Sequence, residues 1–143
     1  MIESFSHIYL PVRDIDESID FYTQKLGFSF HRKYTTNGNL AAYVRLGSIL
    51  LEFSQSDNTP SVDGRSELRI GLIVDDMDST LAELREKGVT VAREPWDAMT
   101  FWGRQCQIFD PSGYRISLRQ YREPDSPYFT DWQPESENVV RLA

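Results

Sequence analysis

The chain has 143 residues, 40% of them hydrophobic and 26% charged, a composition that suits a soluble globular protein rather than a disordered or fibrous one. It has no apolar run of about 18 residues, so no membrane span is expected, and its opening MIESFSHIYL lacks the basic and apolar regions of a secretory signal. The net charge of −7 argues against a nucleic-acid partner; the lone Cys106 excludes a disulfide framework and a cysteine-rich zinc site, so a reducing cytoplasm is the expected location.

Taken from the N-terminus, SHIYLPV reads as an apolar strand followed by an Asp-rich turn and a helix. Asp16 is the expected N-cap, its carboxylate accepting from the orphan N–H groups of the first turn. Ile19, Tyr22 and Leu26 recur at helical spacing, and Gly27 stands where a left-handed C-cap is wanted. FSFHRKY follows as a strand, and AAYVRLGSILLEFSQ as a hairpin with Gly47 at its turn and strands over 41–46 and 49–54. Residues 57–66 are polar, rich in turn formers, and read as a linker.

RIGLIVDDMDSTLAEL then repeats the opening. Leu72, Val74, Asp76, Asp78 and Lys87 fall on Leu10, Val12, Asp14, Asp16 and Lys25 at one constant offset. Asp78 is the matching N-cap and Gly88 the matching helix stop. VTVARE reads as a strand, and RQCQIFDPSGYRISLRQ as a hairpin turned by Asp110-Pro111-Ser112-Gly113, where Pro presets φ and Gly takes φ > 0. Both halves therefore read β-α-β-β-β, an α+β fold made of paired βαβββ modules. The expected organisation is one domain over 1–143: a first repeat over about 5–56, the linker, a second repeat over about 67–122 and an extension over 123–143. The extension carries Tyr128, Phe129 and Trp132 and is expected to dock on the domain or on a second subunit.

These two halves, with FYTQKLGF at the first helix end and DPSGYRISL in the last hairpin, resemble the vicinal oxygen chelate superfamily, the fold of glyoxalases, bleomycin resistance proteins and extradiol dioxygenases. The resemblance runs from about Phe5 to Tyr121. It implies a curved mixed-sheet cup with helices on its outer face, a small-molecule ligand and a homodimer. In metal-using members, the first and last strands of each half supply the ligands. Carried onto this chain, those positions are His7 and Glu52, then Arg69 and Ser117. His7 and Glu52 suit a divalent cation, whereas a guanidinium offers no lone pair and Ser117 is a weak neutral ligand.

The expectation is therefore a cup with no metal cofactor, in which Arg69 keeps a fixed positive charge for a ligand oxygen or for Glu52. Strand alternation adds Tyr9, Gln105, Gln107 and Arg115 to its lining. Trp96, Phe101 and Trp102 supply an aromatic rim for a planar or carboxylated compound, as in drug-sequestering relatives. The alternative is an enzyme of the same fold. It would be a divalent-metal lyase, isomerase or dioxygenase whose missing ligands come from water or another subunit, or a metal-free acid–base catalyst with His7 as base and Glu52 as its orienting carboxylate.

Overall fold

The computed structural model describes residues 1–60, 67–123 and 131–143. Its elements run in chain order β1 (His7–Val12), α1 (Ile15–Asp20), a π-helical turn (Phe21–Lys25), β2 (Ser29–Thr36), β3 (Asn39–Leu46), β4 (Ile49–Gln55), β5 (Arg69–Ile73), α2 (Met77–Glu86), β6 (Val91–Asp97), β7 (Gly103–Phe109) and β8 (Arg115–Tyr121). The fold is α+β with two mixed four-stranded sheets, ordered β1-β4-β3-β2 and β5-β8-β7-β6. The chain divides into two compact units, one holding residues 1–67 and 109–114, the other 68–108 and 115–143.

In the first unit β1 lies parallel to β4, and β3 runs antiparallel to both β4 and β2. Alternation buries Leu10, Val12, Ala42, Val44, Leu51 and Phe53 on the face that meets α1. The hairpin between β2 and β3 turns on Asn37 and Gly38, both at positive φ, the backbone that a two-residue turn needs to match strand twist. Tyr22, fully buried, packs against Phe21, Phe28 and Phe53 with ring centroids 5.1–5.3 Å apart.

Asp110 is the polar centre of this unit. Its Oδ1 accepts from the N–H groups of Ser112 and Tyr114, and its Oδ2 from the Tyr22 hydroxyl, each at 2.9 Å. Tyr114 donates its hydroxyl to the Pro11 carbonyl at 2.7 Å, and the Arg13 N–H donates to Ser112 Oγ at 3.0 Å. The 109–114 turn, read from sequence only as a reversal, is thus a buried clasp on β1 and the first helical segment. Burial pushes the Asp110 carboxyl up despite the donors around it, and pushes the Tyr114 phenol up to about 12.

In the second unit β5 lies parallel to β8, and β6 pairs antiparallel with β7. Ile70, Cys106, Ile108, Ile116 and Leu118 are buried, as are Met77, Leu81 and Leu84 of α2. Cys106 is fully buried, and burial, with Glu94 adding, pushes its thiol up to about 11.

Both N-caps lie two residues before the aspartates chosen from sequence. The N-caps are Asp14 and Asp76, whose side chains accept from the N–H groups of Glu17 and Ser79 at 2.9 and 2.8 Å. The buried residues that follow them, Ile15 and Met77, decide the start, because each must enter the helix to reach the core. Asp16 and Asp78 instead sit in the first turns and pair with Lys33 at 2.7 Å and Arg104 at 3.6 Å. Each helix also takes a cap from the last strand of its own half. Gln55 Oε1 accepts from the Ile15 N–H at 3.0 Å, and Gln120 Oε1 from the Met77 N–H at 2.7 Å.

Candidate functional site

In the first unit the sheet face turned away from α1 carries His7, Tyr9, Glu52, Tyr43, Tyr34 and Arg32. The ladder sets them there: Tyr9 and Tyr43 both lie opposite Glu52, and a bulge after Phe30 brings Arg32 opposite Tyr43. His7 Nε2 lies 3.0 Å from Glu52 Oε2, and the Tyr34 hydroxyl donates to Glu52 Oε1 at 3.3 Å. On the other side of the imidazole, Ser6 Oγ is 2.9 Å from Nδ1. With the hydroxyl donating to Nδ1, the ring proton sits on Nε2 and points at Glu52. The structure brings His7 and Glu52 together and sets beside them Ser6, Tyr34 and Tyr43, which the sequence reading did not single out.

Tyr34 and Tyr43 stack at 6.1 Å with 19° between their planes, and the Arg32 guanidinium lies 4.6 Å from the Tyr43 centroid and 5.7 Å from that of Tyr34. His7 and His31 meet Tyr43 at 6.1 and 6.0 Å. Tyr9 stays 53% exposed. This face therefore offers rings and one His–carboxylate pair. The signal for Tyr43 was its place between the buried Ala42 and Val44.

The second unit presents a different face. Arg69 lies opposite Arg115, and Gly71 opposite Ser117. Ser117 is buried, while Arg69 is exposed and donates to the Leu68 carbonyl at 3.4 Å. Arg115 donates to Gln107 at 3.0 Å, and Arg119 to the Tyr121 hydroxyl at 3.3 Å. Gln105 lies opposite Trp96, and Gln107 opposite Arg93. Arg93 covers the Trp96 ring at 3.6 Å.

Phe101 and Trp102 do not form an open rim. Phe101 is 9% exposed, with the Arg119 guanidinium 4.4 Å over its ring and Tyr121 at 4.9 Å. Trp102 donates its indole N–H to the Gln133 carbonyl at 3.2 Å. The extension docks here: Arg122 forks onto Glu135 at 3.0 and 3.1 Å, and Arg141 donates to the Trp132 carbonyl at 2.5 Å. Tyr128 and Phe129 lie outside the described residues.

The model of the Glyoxalase/Bleomycin resistance protein/Dioxygenase superfamily matches residues 4–118. The chain belongs to this superfamily. Within it, a probable lactoylglutathione lyase of Synechocystis sp. is 32% identical over 121 residues, covering 80% of this chain and 92% of the relative. A probable lactoylglutathione lyase of Vibrio cholerae is 29% identical over 124 residues, covering 82% and 90%. Among solved structures, TnmS3, an antibiotic binding protein from Streptomyces sp. CB03234, superposes with a TM-score of 0.69 at 29% identity, covering 84% of this chain and 97% of that one.

Metal-using members of the superfamily set the test for a divalent cation. Of the four corresponding positions only His7 and Glu52 carry strong donors; Arg69 has no lone pair, and the Ser117 hydroxyl is neutral. Among the described residues no three His, Cys, Asp or Glu side chains gather as a metal site. At these four positions the chain itself offers two strong donors, one fewer than the three protein ligands usual in a catalytic metal site.

Proposed function

We propose that this chain is a small-molecule binding protein of the superfamily that works without a metal, sequestering or carrying an aromatic or carboxylated compound. The observation that carries this reading is the pair Arg69 and Ser117 at the second-half ligand positions, which replaces donors with a fixed cation and a neutral hydroxyl. Two further features support it. The stacked tyrosines of the first unit suit a flat ligand, and, taken by itself, the face of the second unit has arginines and glutamines that suit carboxylate oxygens. The same reading includes a homodimer: β1 and β5 are edge strands with exposed Tyr9 and Ile73. It also includes a cytoplasmic location, where a lone buried thiol is at home. Among the described residues no helix is long and apolar enough to cross a membrane.

The test is calorimetric titration of chelator-treated protein with Ni²⁺, Mn²⁺, Fe²⁺ and Zn²⁺, with His7→Ala as control. No saturable binding is expected. Tight binding that His7→Ala abolishes would overturn the reading. Fluorescence titration with aromatic carboxylates then tests the ligand class.

A second reading, an enzyme of the same superfamily, is favoured by the Ser6–His7–Glu52 line, because a carboxylate at 3.0 Å holds an imidazole ready for proton transfer. Turnover of an α-carbonyl substrate that is lost in His7→Gln, with binding retained, would support it over simple sequestration.

A further inference from the structure

The loop between β6 and β7 and the docked extension border a half-open cleft of about 220 Å³ in the second unit. A liquid water occupies roughly 30 Å³, so the space suits a molecule of several heavy atoms. Its lining residues include the aromatic Phe101, Trp102 and Trp132, Met99 and the acidic Asp97 and Glu135, and none of them is basic. The loop is held closed by the Ala98 N–H donating to the Gly103 carbonyl and the Arg122 N–H donating to the Trp102 carbonyl, each at 2.9 Å. The bond from Trp102 to Gln133 fixes that indole, and the bond from Arg141 to the Trp132 carbonyl ties the facing segment. The loop backbone and the Trp102 indole are thereby tied in place by the chain itself.

The charges choose the ligand. Arg122 forks onto Glu135 and lies close enough to Asp97 to interact with it, so two carboxylates stand against one guanidinium beside the space and the balance there is negative. The Phe101 ring already has a protein cation over it, Arg119 at 4.4 Å, and the Met99 thioether accepts from the Ser136 hydroxyl at 3.5 Å, so Trp102 and Trp132 are the aromatic residues left for an occupant. An anion would meet a carboxylate and the negative faces of the rings. A compact cation that sheds its water easily would be held by both.

We propose that this cleft is a binding site for a small organic cation of the alkylammonium class. Trp132, Glu135 and Ser136 lie beyond residue 118, where the superfamily match ends, so the site is built from a segment the shared fold does not supply. It is independent of the open sheet faces and of their proposed ligand.

The test is fluorescence and calorimetric titration of the full chain with choline chloride at constant ionic strength, beside 3,3-dimethylbutan-1-ol, its neutral carbon isostere. Saturable choline binding is expected, with the isostere about tenfold weaker or worse, the scale of a desolvated cation–π contact. Trp132→Ala should abolish the binding and Asp97→Asn should weaken it about tenfold, both with unchanged circular dichroism. Equal affinity for the isostere, no choline binding at millimolar concentration, or undiminished binding in both variants would each overturn the proposal.

Discussion

The two units share a scaffold and diverge on the face it presents. Each starts its helix with an aspartate cap and a buried apolar residue, and each lends that helix a glutamine from its last strand. Away from the helices, the first unit carries tyrosines and a His–Glu pair, and the second carries arginines and glutamines. The difference teaches where a duplicated module is constrained. The cap and the core are dictated by backbone groups that every copy must satisfy, whereas the open face has no such duty and is free to take up ligand chemistry.

The sharpest break in this symmetry is the Asp110 clasp. Asp110→Ala leaves the Tyr22 hydroxyl and two backbone N–H groups without their acceptor, and should cost about 3 kcal/mol or more, read from urea denaturation. The Gly47 turn, its positional counterpart in the first half, carries no acid, so Ser48→Ala should be near neutral in the same assay.

Gly103 comes next. A Cβ there would stand 2.2 Å from the Gln120 carbonyl oxygen, a backbone atom with little room to yield. Gly103→Ala should cost about 1–3 kcal/mol and loosen the loop that borders the cleft. A smaller effect tests the shared caps. Gln55→Ala and Gln120→Ala should each cost about 1 kcal/mol, and near-equal losses would show that the two modules use the device alike.

The subtlest test is pH. Burial raises the Asp110 carboxyl, so its neutral form is the one that folding favours. That contribution is full below the ordinary carboxylate range and is lost as pH rises through the raised value. Subtracting the Asp110→Asn profile from the wild type should isolate a stability difference that declines with rising pH over that window. A flat or rising difference would show that the donors around the carboxylate outweigh its burial.

Much of the scaffold was legible because it is written in local pattern. Alternation and helical spacing gave the strands and helices, and Gly27 and Gly88 do take positive φ. In each Asp-rich turn the cap lies two residues before the aspartate chosen from sequence, because burial of Ile15 and Met77 sets the helix start. The His7–Glu52 pair was reachable through the family resemblance, which points to the first and last strands of one half, and those strands, β1 and β4, lie side by side. The Tyr22–Asp110 bond was not, since 88 residues separate the partners and nothing local announces it. Nor was the diversion of Trp102 to the extension, because a tryptophan on a loop reads the same whether a ligand or the chain itself covers it.

The clasp also sets an order of events during synthesis. The first sheet is complete once Gln55 has left the ribosome, yet the turn that satisfies Tyr22 arrives only with residues 109–114. Until then the nascent first half carries a phenol with no acceptor beneath its helix. Its final stability is therefore conferred late, by a segment nearly a whole module downstream. A stalled or truncated chain ending in the linker should be captured by chaperones or degraded, even though every strand of its sheet is present.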